Sequence, residues 1–285
     1  MLMRVPESYT VTGEGYRWKN VGVMSNKGIE LSADGDVIRT KDFTWNVSAN
    51  VSYNCNRLKE LYNGVTEYVN STTGLKYVVG HSVSEFFLNR YAGVNPANGE
   101  QLWYDKDGNV TNEFRESDKV MTGKTYDAPW MGGFGTTLRW KGLQLGVQFS
   151  WIGTRYVINN DRYFEESGVT FGTAYNQSKR VLYDRWKNPG DITDIPKWGE
   201  VNQLDDRYLE NAAFLRLKNL SLSYSLPQSL LSKTHFFSMV RIYGQAQNLF
   251  TITNFNGLDP EVSSNVYQAQ YPATRQFTLG VELQF

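Results

Sequence analysis

Few side chains in these 285 residues have a type and spacing that could do covalent chemistry. The two histidines, His81 and His235, stand in no metal-ligand spacing motif. Cys55 is the single cysteine, so there is no disulfide framework and no CxxC site. No GxSxG, HExxH or Cys–His arrangement occurs. Asp205, Asp206 and Glu210 lie beside Arg207 and read as a loop salt-bridge cluster rather than a general acid and base. The expectation is a protein with no catalytic residues, no cofactor and no resident metal.

Two stretches could instead bind. D-K-D-G-N-V-T places Asp105, Asp107 and Asn109 at alternate positions, as a calcium loop does, but without the Gly and distal Glu of an EF-hand. D-G is also a strong turn signal, and a turn is the leading reading. Trp103, Tyr163, Phe164, Trp186 and Trp198 fall in long polar segments. Such rings can stack on the apolar CH faces of sugars or on peptide side chains, or they can simply pack a loop. D-I-T-D-I-P (191–196) reads as a loop turn, and G-L-D-P-E (257–261) as a Pro-held turn fixing the last long loop.

Those residues must be positioned by strands. Tyr, Phe and Trp number 18, 15 and 8 beside many Asn, Gln, Ser, Thr and Gly, which is a β composition. From Phe43 to Asn56 the odd positions are apolar and the even ones are Asn, Ser or Thr, so the two faces meet different solvents. The same period appears around 29–34, 134–141, 143–151, 220–226, 240–247 and 276–285, which makes seven strands in all. Most are about 9–13 residues, the length of a tilted strand crossing a bilayer. Tyr53, Trp140, Trp151, Tyr224 and Phe285 fall near strand ends on the apolar face, where interfacial aromatics belong. Arg216 and Lys218 continue that face at its outer end, where they either reach toward lipid phosphates or stand as two solvated cations beside a loop.

Connections alternate short and long. A D-G link after Ala33, Lys141-Gly142 and a Pro227 turn lie on one side. Segments 57–131, 153–212 and 250–273 lie on the other and are expected to be extracellular loops. Lys plus Arg equals Asp plus Glu at 29 each, with no basic run, so nucleic acid is not an expected partner. The start M-L-M-R-V-P has no apolar core of a signal peptide, and no run reaches the roughly 18 apolar residues of a spanning helix. Seven strands leave two open edges, each with unpaired backbone groups that are costly in lipid. The expected architecture is therefore all-β: an antiparallel up-and-down transmembrane barrel segment, cut from a larger barrel. The rival from another class is a soluble all-β carbohydrate-binding module, which would bury its apolar faces against each other.

Particular motifs then resemble a known family. N-V-G-V-M-S-N-K-G-I-E-L (20–31) is similar to a strand start of TonB-dependent outer-membrane receptors. Y-A-G-V-N-P-A-N-G-E-Q-L-W-Y-D-K-D-G-N-V-T (91–111), D-A-P-W-M-G-G-F-G-T-T-L-R-W-K-G (127–142) and W-K-N-P-G-D-I-T-D-I-P (186–196) resemble loops and a strand of its SusC/RagA branch. N-A-A-F-L-R-L-K-N-L-S-L-S-Y-S-L-P (211–227), Q-N-L-F-T-I-T-N-F-N-G-L-D-P-E (247–261) and the terminal strand resemble that branch's last three strands. The resemblance covers about residue 20 to 285. It implies that residues 1–285 are part of a receptor barrel domain, the last seven of about 22 strands. The plug domain, TonB box and signal peptide of such receptors are not expected within this chain. The resemblance further implies uptake of bulky nutrients, glycan oligosaccharides or peptides, across the outer membrane of a Gram-negative bacterium. It implies a SusD-like surface lipoprotein, the TonB complex acting through an N-terminal plug, the barrel-assembly machinery and lipid or lipopolysaccharide as partners. Phe285 resembles that machinery's end signal.

Overall fold

The computed structural model describes residues 2–20, 22–69, 74–167, 176–268 and 270–285, with backbone alone for 2–6, 11 and 12. Val21 of the first motif, and residues 70–73, 168–175 and 269 of the three expected loops, lie outside the described residues. Seven wall strands follow in chain order: β1 (Gly22–Arg39), β2 (Phe43–Leu61), β3 (Trp130–Trp140), β4 (Leu143–Ile152), β5 (Phe214–Ser225), β6 (Met239–Gln247) and β7 (Gln276–Gln284). Each pairs antiparallel with the next, so spatial order equals chain order. This is an all-β, up-and-down barrel segment. No helix among the described residues is long and apolar enough to cross a membrane.

The register gathers the alternating apolar residues of the band on one face. Phe43, Trp45, Val47, Ala49, Val51 and Tyr53 stand opposite Trp140, Leu138, Thr136, Phe134, Gly132 and Trp130. Phe134 stacks on Phe149 at 4.9 Å, and Tyr53 meets Trp130 at 4.6 Å. Thr136 is the polar exception, and its hydroxyl is satisfied there. It accepts from the Trp45 indole at 2.8 Å and donates to the Asn46 carbonyl at 3.0 Å. An orphan hydroxyl on this face would be costly in an apolar solvent. Trp130 and Trp140 lie at the two ends of β3. At about 3.4 Å per residue and a tilt near 40°, they bracket a band about 25 Å tall, the height of a barrel's lipid-facing surface.

Among the described residues nothing covers this face. Ile29, Leu31, Phe277 and Val281 are exposed, and Leu279 is 89% exposed. The buried clusters lie instead among the long connections. One joins Leu75, Phe86, Leu88, Ile158, Tyr208 and Leu209, a second joins Val157, Ala212, Phe255, Val262 and Tyr267, and a third is built on Leu58 and Leu61. A soluble sandwich would have its core between sheet faces. Here the core is in the loops, and the wall is left two-faced.

Three details depart from the sequence reading. First, β1 and β2 run to 18 and 19 residues, well past the alternating stretch. Beyond Cys55 the ladder continues through Asn56–Asn26, Arg57–Ser25 and Leu58–Met24. The backbone keeps pairing, but the periodic signal stops where the apolar band ends. Second, the D-G link is not the turn. Asp34 and Gly35 pair with Ser48 and Val47 inside the hairpin, and the chain reverses at Thr40–Asp42. Third, Arg216 and Lys218 do not extend the apolar face. A bulge at Lys218 shifts the β4–β5 register, so that Leu217 pairs with Phe149 and Arg216 with Ser150 on the polar side. One inserted residue reverses the parity of everything beyond it.

Short reversals gather at one end of the wall. Lys141 and Gly142 have φ of 45° and 89°, the two left-handed positions of a type I′ hairpin. A Cβ on Gly142 would stand 2.6 Å from the Ser225 carbonyl. The long connections meet at the other end, as a crown of small sheets and short helices.

Candidate functional site

Two surfaces could meet a solute: the polar face of the wall and the crown above it. The polar face is built in cross-strand rows. One row runs Asn46, Thr137, Gly146, Ser221, Gln245, Thr278, and the next runs Ser48, Gly135, Gln148, Asn219, Gln247, Gln276. These are amides, hydroxyls and glycines, able to hydrogen-bond a polar solute or a second protein layer, and neither row contains a histidine or carboxylate that could activate a hydroxyl. Ser150 Oγ and Asn219 Oδ1 are buried atoms with no hydrogen-bond partner among the described residues, so this face retains unused bonding capacity. Arg241 donates to Ser223 Oγ at 3.2 Å and lies 3.7 Å from Glu282.

The crown brings two of the quoted loop motifs together. In N-P-A-N-G, Asn95 closes its own turn by accepting from Ala97 N at 3.0 Å, and Gly99 takes φ of 76°. Trp186 lies across Gly99, where a Cβ would come within 2.5 Å of the ring. Its indole donates to the Pro96 carbonyl at 3.1 Å. Side chains of D-I-T-D-I-P then fix that loop. Asp191 accepts from Lys187 N and Asn188 N, and Asp194 takes both oxygens to Arg180 at 2.7 Å. Those donors hold the Asp191 carboxyl below its ordinary range.

The five aromatic candidates separate by exposure. Trp103 is buried, its indole donates to Asp205 Oδ2 at 2.9 Å, and its ring meets Phe114 and Tyr91 edge-on. It packs the crown and offers no face to solvent. Tyr163 packs edge-on against Phe164 and Tyr208 and donates its hydroxyl to the Asn202 carbonyl at 3.3 Å. Trp186 has one face on Gly99. Trp198 is 63% exposed, with the Arg185 guanidinium 5.1 Å from its ring centre. Only Trp198 of the five presents a mostly open ring.

The acidic cluster is an ion-pair network. Arg207 Nε lies 3.1 Å from Asp205 Oδ1, donates to Gln101 Oε1 at 2.6 Å, and stacks 4.0 Å from the Tyr91 ring. Burial pushes the Asp205 carboxyl up, against the pull of Arg207. Asp206 accepts from Tyr91 N, while Glu210 pairs with Arg162 at 2.7 Å. Every member is occupied in holding loop to loop. The D-K-D-G loop is likewise consumed by its own turn. Asp105 accepts from Asp107 N at 2.9 Å, Asn109 N at 2.8 Å and Asn109 Nδ2 at 3.1 Å. No group of three or more His, Cys, Asp or Glu residues able to hold a metal occurs among the described residues.

One heavily bonded residue at the base of the crown is one the sequence assigned elsewhere. Arg216, 2% exposed, binds Asp259, Glu261 at 2.8 Å and Thr251 Oγ1 at 2.9 Å. Asp259 also accepts from Glu261 N at 2.9 Å and Ala273 N at 2.8 Å. G-L-D-P-E is thus clamped to β5. Its Pro-held turn was readable, but its partner was hidden behind the Lys218 bulge. Phe285, at the opposite end, packs with Phe236 at 4.9 Å and Phe237 at 5.6 Å in the β5–β6 turn.

No family model matches the chain. Individual relatives do. TonB-dependent receptor P3 of Formosa agariphila is 28% identical, over 96% of this chain and 30% of its own length. TonB-dependent receptor SusC of Bacteroides thetaiotaomicron is 28% identical, over 94% of this chain and 27% of its own length. The solved RagAB peptide transporter matches all of this chain, and 32% of its own, with a TM-score of 0.91 and 38% identity. The RagAB importer in its 'open-open' state matches with the same score and identity. The chain therefore spans about a third or less of the length of these relatives. Matched along its whole length by the RagAB transporter and over 94–96% of it by the two receptors, the chain is a fragment of a TonB-dependent transporter of the SusC/RagA type.

Proposed function

We propose that residues 1–285 form part of the barrel wall and outer loops of a transporter that brings bulky nutrients across the outer membrane of a Gram-negative bacterium. The two-faced wall carries this reading: its apolar face is uncovered between aromatic rims, and its inner face is lined with amides and hydroxyls. On this reading segments 57–131, 153–212 and 250–273 are extracellular. Import is passage without covalent change of the solute, which suits polar rows that bond weakly and repeatedly. The solute class is glycan oligosaccharide or peptide, both rich in hydrogen-bonding groups. Trp198, with its open ring, is the strongest of the aromatic contacts, and Tyr163, Phe164 and Trp186 border the same crown.

The partners follow from the same reading. A SusD-like lipoprotein would cover the crown, the TonB complex would act through a plug domain of the whole transporter, and the barrel-assembly machinery would read Phe285. The test is extraction of bacterial membranes with carbonate and then with detergent. The chain should appear only in the detergent extract, and release into carbonate would sink the proposal. Titrating the detergent-held protein with oligosaccharides and with mixed peptides, read by Trp198 fluorescence against a Trp198→Phe control, then distinguishes the two solute classes.

A further inference from the structure

With Arg216 turned inward, some other cations must face lipid headgroups if any do. The register finds them on the β1–β2 hairpin, above the apolar band. Residues opposite one another in the ladder share a face. Ile29 pairs with Tyr53 on the lipid side, so the pairs two and four residues further out, Lys27–Cys55 and Ser25–Arg57, are on that side too. The alternate residues confirm the assignment. Asn56 Oδ1 accepts from Val83 N at 3.1 Å, and Leu58 is fully buried against the crown. Lys59 occupies the bulge between the Leu58–Met24 and Glu60–Val23 pairs.

Lys27, Arg57 and Lys59 are exposed. None of them has an ion pair among the described residues. Arg57 makes one long contact, to the Gly80 carbonyl at 3.4 Å. Glu60 also faces outward beyond the bulge, farther from the band than the three cations. Glu30 and Asp34 pair with Ser52 and Ser48 and so lie on the inner face. At about 3.4 Å per residue, Lys27 and Arg57 stand about 7 and 14 Å along the strand above the Tyr53 rim, or roughly 5 and 10 Å in height for a tilt near 40°. A Lys or Arg stem spans the remaining gap and keeps its charge at headgroup level.

We infer that Lys27, Arg57 and Lys59 form a binding site for the phosphates of a phosphorylated glycolipid in the outer leaflet. The site rests on the barrel reading, because its height is measured from the lipid-facing band. The occupant follows from two features of this surface: uncompensated positive charge, and continuity with an apolar face that would take acyl chains. A free phosphate would use the charge alone.

The experiment reconstitutes the full chain in nanodiscs of phosphatidylcholine doped with diphosphorylated lipid A, or with the same lipid A dephosphorylated. Retained lipid is counted by mass spectrometry after repeated exchange. The intact protein should retain the phosphorylated form and release the dephosphorylated one, and inorganic phosphate should compete poorly. The triple variant Lys27→Gln, Arg57→Gln, Lys59→Gln should weaken retention on the order of 100-fold, at about fivefold per cation near an anionic surface. Lys233→Gln, in the turn at the opposite end, should not. Equal retention of both lipid A forms by the intact protein would overturn the inference without any variant, as would undiminished retention by the triple variant. Failure of the chain to enter nanodiscs at all would instead overturn the barrel reading beneath it.

Discussion

Replacing Arg216 by Met keeps the volume of the side chain and removes its charge. In the native crown the guanidinium binds Asp259, Glu261 and Thr251 while being 2% exposed. Breaking a buried pair from one side costs about 3–5 kcal/mol, because the remaining charge stays buried. Asp259 keeps two backbone donors, from Glu261 and Ala273. Glu261 is largely exposed and keeps Lys218 at 2.8 Å. The expected loss is therefore smaller, about 2–3 kcal/mol, and about 30- to 150-fold in the opening equilibrium of the loop. Hydrogen exchange of the detergent-held protein reads it directly. Amides of 254–273 should lose protection by that factor, while those of β2, β3 and β4 hold theirs. Lys218→Met, which removes only a half-exposed pair, should change the loop by less than about fivefold. Unchanged protection in the Arg216→Met loop, or an equal loss across the whole wall, would refute the clamp.

The same clamp has a pH signature. Burial opposes the charged form of Asp259, but the Ala273 and Glu261 amides and Arg216 outweigh it and hold the carboxyl below its ordinary range. A depressed folded pKa adds stability that is fully present above the unfolded value near 3.9 and is lost as pH falls through the folded one. Exchange protection of 254–273 should thus be level from pH 8 to about 5 and fall below about pH 4; a loss between pH 8 and 6 would contradict it. Trp103→Phe removes the indole donor to Asp205 and leaves a buried carboxylate oxygen short of a bond, at about 1–3 kcal/mol. Protease cleavage within 85–125 should accelerate about tenfold or more, and an unchanged rate would count against the crown packing. Gly142→Ala puts a Cβ 2.6 Å from the Ser225 carbonyl at a φ of 89°. It should lower the thermal midpoint of the detergent-held wall by several degrees, for about 1–3 kcal/mol of strain; an unshifted midpoint would refute the I′ assignment.

How far the fold could be read from sequence depended on solvent contrast. Between Phe43 and Tyr53 each residue meets either an apolar or a polar surrounding, so period two is written into residue type. From Cys55 to Leu61 the strand continues with both faces in polar or mixed surroundings, and Asn, Arg, Leu and Lys follow without a period. There the strand is held by backbone bonds that any residue supplies. Arg216 was misplaced for a different reason. Extrapolating parity from Leu220 assumes an unbroken ladder, and the single bulge at Lys218 leaves no signature in composition. The crown was legible as turns but not as contacts. Asp105, Asp191 and the N-P-A-N-G turn act on near neighbours, whereas the Trp103–Asp205 and Trp186–Gly99 contacts join residues far apart in the chain. The aromatic residues were found as a set, but nothing local distinguishes the exposed Trp198 from the buried Trp103.

The central claim, that this wall has lipid on one face and not on the other, is tested most directly by collision accessibility. Cys55 is first replaced by Ser, and single nitroxide labels are placed at each position from Leu143 to Ile152 in liposome-reconstituted protein. Relaxation by lipid-soluble oxygen should rise at 143, 145, 147, 149 and 151 and drop at 144, 146, 148 and 150, with a maximum near Val147 where the band is deepest. A flat profile, or one in which a water-soluble nickel complex reaches the odd positions, would contradict the account.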